Sequence, residues 1–432
     1  MRIQSDGAGV LFVDANEVIH LNDTASWMTK MALDGVPKLS AKALVGRQFK
    51  NGRSGEIKAE LERIYHLVEQ IQKPFRACLT CAMPSLEQNP LFSIPPQAPY
   101  KVDMAISYHC NNRCTHCYNE PERKTIPSLP REDWFEVLER LYRVGAPHII
   151  FTGGEPTLHP HLFDLIRYAD RLGMITGLNT NGRRLADAAF VEKLAGAGLN
   201  HVQITIGSCF PEVHNRMTNA KSYHETVQGI RNAVASSLHT ITNTTLMKSN
   251  AEHAEEIVDF VCGLGVRTFA MNGMIYSGGG TDFDEAIPEE ELAPILAGVR
   301  DRAKELGMRF LWYTPTEYCR LSPLELDIGA KRCNAGEYSI CIEPNGDVLP
   351  CQSYYVSVGN ILRDSWESIW ESELFHWFRN RREHPEKAGL PEKCLDCPDL
   401  PVCGGGCPLA RRARMQKSKM ENIQSPVSYV SG

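Results

Sequence analysis

Cys110-Asn111-Asn112-Arg113-Cys114-Thr115-His116-Cys117 forms one short loop directly after the apolar run Val102–Ser107, which reads as a strand. Three thiolates, spaced by three and then two intervening residues, fall one short of the four sulfurs that normally hold an iron–sulfur cube. They suffice for three irons and leave the fourth open to a small molecule that can chelate it and receive one electron. A zinc knuckle is the alternative for such a triplet taken alone. Farther on, His148-Ile149-Ile150-Phe151-Thr152-Gly153-Gly154-Glu155-Pro156 is a second apolar run, ending in a tight Gly-Gly turn, a carboxylate and a proline.

Around these two stretches the chain alternates strand-like and helix-like segments, the pattern of a parallel sheet wrapped by helices. Strands are expected at Val102–Ser107, His148–Thr152, Ile175–Asn179, His201–Ile206, Thr240–Leu246 and Thr268–Ile275. Amphipathic helices are expected near Arg131–Val144, His161–Leu172, Asp187–Ala197, Tyr223–Ser236 and Ala251–Leu264. The pattern is an α/β fold, a partial (β/α)6 TIM-like barrel, in which chemistry gathers at the C-terminal strand ends. Both motifs fall at such ends. By the same logic Asn179, Asn181 and Gly182, Thr205 and Gly207, Asn243, and Asn272 are candidates to face one cavity. A turn or capping role competes with ligand contact at each of them.

Together the two motifs resemble the radical S-adenosylmethionine (radical SAM) superfamily, whose cluster loop and Gly-Gly-Glu-Pro turn occur in this order. The resemblance implies that Cys110, Cys114 and Cys117 carry a catalytic 4Fe–4S cluster, with the amino and carboxylate groups of SAM on its open iron. Gly153, Gly154, Glu155 and Pro156 would hold the amino end, and one-electron reduction would split SAM to a 5′-deoxyadenosyl radical. The family usually has an aromatic before the third cysteine; here His116 offers its ring to the adenine. Asn179, Asn181, Thr205 and Asn243 are the further SAM candidates. The segment Glu212–Met217 resembles a stretch that follows the fourth strand in these enzymes and singles out His214 and Arg216, with a solvated loop as the alternative.

The C-terminal third holds a second constellation. Twelve residues separate Cys333 from Gly346 and four more lead to Cys351; Cys394-x2-Cys397-x5-Cys403-x3-Cys407 completes it. Short strands at Ile340–Glu343 and Val348–Cys351 around a Gly346-Asp347 turn bring distant thiols together, which also suits a zinc ribbon. The spacing resembles the SPASM extension, which binds one or two auxiliary 4Fe–4S clusters. Carried over, the nearer cluster takes Cys333, Cys351 and Cys407, with Cys341 for an extra place. The outer one takes Cys394, Cys397 and Cys403, but the family's last cysteine, downstream of Cys407, is absent. A non-cysteine residue, a solvent-open iron, or Cys78 or Cys81 are the options for that place. Cys209, Cys262 and Cys319 stand isolated and read as buried structural thiols.

The N-terminal stretch belongs to neither constellation. Gly9–His20 reads as a hairpin, Asn22 or Asp23 caps a following helix that Asp34-Gly35 ends, and a long amphipathic helix covers Gly55–Gln72. This plan resembles the peptide-recognition domain of the pyrroloquinoline-quinone peptide chaperone family, small winged-helix-like α+β domains that take up a precursor's leader as an added strand. A DNA-binding winged helix and a dimerisation domain are the alternatives. The expected division is residues 1–75 for this domain, 76–99 for a Pro-rich linker with Cys78-x2-Cys81, 100–310 for the barrel, 311–415 for the cysteine-rich iron–sulfur domain and 416–432 for a flexible tail.

Composition narrows the class. The 432-residue chain is 43% hydrophobic, enough for two or three domains, and its formal charge of −6 leaves no basic footprint for nucleic acid. No apolar run is long enough for a bilayer and Met1–Gly7 lacks a signal segment, so a cytoplasmic protein off the membrane is expected. Fifteen cysteines without an export signal favour metal or redox chemistry. The expectation is therefore a radical SAM/SPASM maturase that abstracts hydrogen from a precursor peptide or protein to crosslink, oxidise or decarboxylate it, fed by a donor such as flavodoxin or ferredoxin. The segment Val402–Cys407 also resembles radical SAM enzymes that modify haem-type tetrapyrrole precursors, which is the second reading. A non-catalytic iron–sulfur electron carrier is the third, and it leaves the Gly-Gly-Glu-Pro turn without a purpose.

Overall fold

The computed structural model describes residues 1–3, 7–13, 17–49, 54–71, 95–281 and 284–424. The Cys78–Cys81 pair and most of the expected linker lie outside the described residues. The chain divides into two compact units, Met1–Gln97 and Ala98–Gly432.

In the first unit β1 (Arg2–Ile3), β2 (Gly9–Val13) and β3 (Glu17–Leu21) form an antiparallel sheet in the order β1-β2-β3, so β3 is an edge. Three helices follow, α1 (Asp23–Leu33), α2 (Lys38–Gln48) and α3 (Ser54–Ile71). Asn22 caps α1 by accepting from Ala25 N at 2.8 Å, and Gly35, at φ 71°, carries the chain out of it. On α3, Leu61, Ile64 and Tyr65 fall at helical spacing and pack on Met28, Met31, Ala41 and Val45, while Leu67 meets Leu11 and Leu21 of the sheet. The hairpin and the first and last helices match the sequence expectation. Strand β1 and helix α2 add to it.

The second unit is built on β4 (Lys101–Ser107), β5 (His148–Gly153), β6 (Ile175–Thr180), β7 (His201–Thr205), β8 (His239–Thr245), β9 (Thr268–Asn272), β10 (Arg309–Trp312), β11 (Ser339–Ile342) and β12 (Val348–Leu349). They form one nine-stranded sheet in the order β10-β9-β8-β7-β6-β5-β4-β11-β12, parallel throughout except for the β11–β12 hairpin. The intervening helices are α4 (Arg131–Arg143), α5 (Leu162–Arg171), α6 (Ala188–Gly196), α7 (Pro211–Thr218), α8 (Tyr223–Ala235), α9 (Ala254–Gly263) and α10 (Glu289–Glu305). Alternate strand residues, among them Val102, Met104, Ile106, Ile149, Phe151, Val202, Ile204, Phe269 and Met271, pack against helix residues such as Trp134, Leu138, Ile166, Leu194, Ile230 and Val258. The pleat turns the residues between them to the lumen.

The six expected strands are present within a residue or a few at their ends. Two parallel strands go beyond them: β10 extends one edge, and β11 pairs with β4 in the register Cys341↔Asp103. The cysteine-rich hairpin is thus stitched to the barrel sheet. Residues 416–424, expected as tail, continue the helix Pro408–Gln424; 425–432 lie outside the described residues.

At the lumen floor His148 and His201 meet across β6, Nε2 to Nε2 at 2.8 Å, and a Cβ on Gly177 would stand 2.3 Å from the His201 ring. Burial pushes His201 down to about 4 and His148 well below the ordinary imidazole value. With folded values below the unfolded 6.5, these groups contribute stability that is complete above pH 6.5 and is lost as pH falls towards 4. The melting temperature of the metal-free chain is therefore expected to fall over that window. His201→Gln is expected to flatten the slope, as thermal melts at stepped pH would read.

Candidate active site

The cluster loop leaves the C-terminal end of β4 and is tied down on several sides. Thr115 N donates to Met217 O at 2.9 Å and Arg113 N to Thr218 O at 3.0 Å, docking the loop on the end of α7. Gly279 N donates to Cys117 O at 2.7 Å. From the end of β6, Arg183 Nη1 reaches Asn111 O at 2.7 Å and Asn112 Oδ1 at 3.1 Å, and Asn181 Nδ2 reaches Asn111 Oδ1 at 2.7 Å. Nothing in the spacing of the cysteines signals Arg183; it follows Asn181 and Gly182, and only the crossing of two strand ends brings it to the loop.

Cys110, Cys114 and Cys117 are free, half-buried thiols. Burial pushes Cys114 up to about 12, and the neighbouring Cys117 and Cys110 push in the same direction, so the three sense one another's charge. Such thiols ionise when a metal takes them. Among the described residues no three Cys, His, Asp or Glu side chains converge on a single-ion position. A cube binds each thiolate through a different iron and needs no such convergence, whereas ligands of one zinc crowd to about 3.8 Å by tetrahedral geometry.

The Gly153–Pro156 turn is laid directly on the backbone that leads into this loop. Gly154 N donates to Ser107 O and Glu155 N to His109 O, both at 2.7 Å, while Asn119 Nδ2 donates to Gly153 O at 2.9 Å. The Glu155 carboxylate is buried and turned away towards β6. It accepts from Thr157 Oγ1 at 2.6 Å, Thr180 Oγ1 at 2.7 Å, Asn181 N at 2.8 Å and Thr157 N at 3.1 Å. Burial raises its pKa and these donors oppose the rise. Glu155 thus fixes the turn against the β6 end with its side chain and faces the loop with its backbone. Pro156 starts the short 3-10 turn that follows.

The other expected site residues divide. Asn179 and Thr205 are half-buried at lumen-facing positions near their strand ends. Asn243 donates to Asn272 Oδ1 at 2.9 Å while its own Oδ1 is buried without a partner among the described residues, as is His116 Nδ1. These two atoms are among the buried donors and acceptors that the described residues leave for a cofactor. Asn272 also donates to Gly273 O and Thr245 Oγ1, and Gly207 N donates to His214 Nδ1 at 3.1 Å. His214 is buried on α7 and its other nitrogen meets Ser222 Oγ at 3.1 Å; burial pushes its pKa down to about 4. It is therefore a neutral framework residue, and Arg216 is exposed.

In the C-terminal region Cys351 is pushed up to about 12 and Cys407 to about 11, by burial first and by the Cys333 thiol next. Cys333, Cys351 and Cys407 therefore gather. Cys341 departs from the place expected for it: it is fully buried in β11 among Ala105, Tyr108 and Leu349. Burial first, then Asp103 and Glu343, and only then Cys351 push its thiol up, and it would have to leave packed neighbours to reach a cluster. Cys394 and Cys397 are half-buried and Cys403 buried. Cys319 is exposed, contrary to its reading as a buried structural thiol, and Cys209 and Cys262 are half-buried.

Two bridges, one buried at Glu343 and one half-buried, join the halves of the site. Glu343, beyond β11, accepts from Tyr108 Oη at 2.8 Å and Arg123 Nε at 2.8 Å. Tyr118, next to Cys117, donates to Gln352 Oε1, next to Cys351, at 3.1 Å.

Residues 104–261 match the radical SAM superfamily and residues 333–398 the SPASM iron–sulfur cluster-binding domain. The chain is a radical SAM enzyme with an SPASM domain. Its cofactors are SAM and 4Fe–4S clusters. A PqqA peptide cyclase of Streptomyces rochei is 27% identical over 72% of this chain and 84% of its own length. An AdoMet-dependent heme synthase of Methanosarcina barkeri is 26% identical over 71% of this chain and 91% of its own. Streptococcus suis SuiB bound to its precursor peptide SuiA shares the fold at TM-score 0.65 and 17% identity, covering 95% of this chain and 96% of that one. Among the described residues of this radical SAM/SPASM enzyme, no helix is long and apolar enough to cross a membrane.

Proposed function

We propose that this radical SAM/SPASM enzyme is a peptide maturase, with Cys110, Cys114 and Cys117 on the catalytic cluster and the Gly153–Pro156 backbone at the SAM amino group. The observation that carries the peptide reading is the N-terminal unit: a three-stranded sheet whose β3 edge is a template for an added strand. A fold likeness running through 95% of the chain to an enzyme solved with its precursor peptide supports it. When bound, the catalytic cluster supplies the electron that splits SAM into methionine and a 5′-deoxyadenosyl radical. The protein's part is to hold the loop through Arg183 and Asn181, and to fix the turn through Glu155. His116, Asn179, Thr205 and Asn243 stand as the groups for the nucleoside, and Cys333, Cys351 and Cys407 with the outer cysteines as the auxiliary ligands. Flavodoxin or ferredoxin is the class of donor such chemistry needs.

The test is anaerobic incubation of the reconstituted full chain with SAM, reductant and the precursor peptide encoded beside its gene. Deoxyadenosine and peptide mass are read together. A peptide lighter by two hydrogens or by carbon dioxide is expected, and one lacking its leader should be modified at least about tenfold more slowly. Deoxyadenosine with full-length peptide left unaltered in mass and stereochemistry would sink the peptide reading and favour the tetrapyrrole class named for the heme synthase relative.

A further inference from the structure

The outer cysteines supply three thiols, and none of residues 408–432 is a cysteine that could serve as the downstream fourth of the family pattern. A thiol reaches them from upstream instead. The segment around Cys319 runs along Cys403: Cys403 Sγ lies 3.7 Å from Thr316 O, and Tyr318 N donates to Cys403 Sγ at 3.4 Å. On the other side Lys393, the residue before Cys394, places Nζ 3.3 Å from Cys319 Sγ. Cys319 therefore follows directly on the residue whose amide reaches the Cys403 sulfur, and its own sulfur meets the side chain of the residue before Cys394. The segment is anchored there, since Glu317 meets Arg414 Nη2 at 2.7 Å and its amide donates to Glu289 Oε2 at 3.3 Å.

We propose that Cys319 is the fourth protein ligand of the outer auxiliary cluster, completing a four-thiolate set with Cys394, Cys397 and Cys403. This rests on the reading of the outer cysteines as cluster ligands. Four thiolates leave no iron of that cluster open. The outer cluster is then an electron relay, and direct coordination of a substrate group falls to the inner set of Cys333, Cys351 and Cys407.

The test uses the full chain with Cys110, Cys114 and Cys117 all changed to Ala, so that only auxiliary iron remains after anaerobic reconstitution. Iron and sulfide are counted and Mössbauer and EPR spectra recorded. Cys319→Ala and Cys394→Ala are each expected to lose up to about four irons per chain or to convert a four-iron to a three-iron signal. Cys319→Asp, whose carboxylate can still take iron, is expected to recover the count with a shifted spectrum, which separates lost ligation from lost folding. Unchanged iron and spectra in Cys319→Ala, with loss in Cys394→Ala, would overturn the assignment alone. No loss in either variant would overturn the outer cluster as well.

Discussion

Alanine at Cys114 is expected to remove one cluster's iron and all SAM cleavage, whereas alanine at Gly154 is expected to remove most cleavage and leave most of the iron. Cys114 is the middle thiol of the loop, and its pKa is raised by burial first and by both flanking thiols next. Without it two ligands remain for three irons, and deoxyadenosine should drop by at least about a thousandfold, equivalent to about 4 kcal/mol of barrier. Gly154 acts differently. A Cβ there would stand 2.3 Å from His109 O, 2.5 Å from Tyr108 O and 2.6 Å from Tyr108 C. All three are backbone atoms, so no rotamer change relieves the overlap and the turn itself must lift. That breaks the 2.7 Å bonds from Gly154 N to Ser107 O and from Glu155 N to His109 O. A displacement approaching 1 Å in a positioning element costs about a hundredfold in rate. Deoxyadenosine by chromatography and iron by colorimetry on the same preparations separate the two outcomes. A Gly154→Ala enzyme that cleaves SAM at the parent rate would remove the turn from the SAM site.

What could be read from the sequence was what is encoded locally. Strand β4 and the cysteine spacing lie within twenty residues of each other, and the β5 motif repeats the same strand-then-turn logic, so period and punctuation sufficed. The tight turn at Gly153–Pro156 was legible; the destination of the Glu155 carboxylate was not, because Thr180 and Asn181 come from the next strand. Cys341 illustrates the opposite failure. It was the candidate for the extra place after Cys333 although its offset was unusual and it fell in an expected strand; alternation along β11 puts it with Ala105 and Leu349, and the pairing of β11 with β4 that decides this has no local signal. Cys319 looked isolated because the Lys393 side chain that meets it is 74 positions away, a separation that short spacing rules cannot span.

Arg332→Met is expected to unfold the auxiliary region by about 3 kcal/mol, because it leaves a carboxylate stranded in the interior. Arg332 Nη2 meets Glu337 Oε1 at 2.6 Å, with the two side chains 1% and 6% exposed. Burial pushes the guanidinium down and the carboxyl up, each towards its neutral form, and the ion pair opposes both shifts, with Arg382 and Arg381 adding smaller support to the Glu337 charge. Arg382 Nη2 is 3.4 Å from the same oxygen, too far to replace a direct charged hydrogen bond. The pair also sets ligands. Arg332 precedes Cys333, and its Nη1 reaches Pro401 O at 3.4 Å, two residues before Cys403, so one side chain spans the inner and outer cysteine groups. Arg332→Met should therefore lower urea stability of the metal-free chain and speed loss of auxiliary iron to a chelator. Glu337→Gln added to it removes the stranded charge and should recover part of both. Strict additivity of the two substitutions would mean that the ions are not coupled, and the bridge would then hold the cysteines by packing alone.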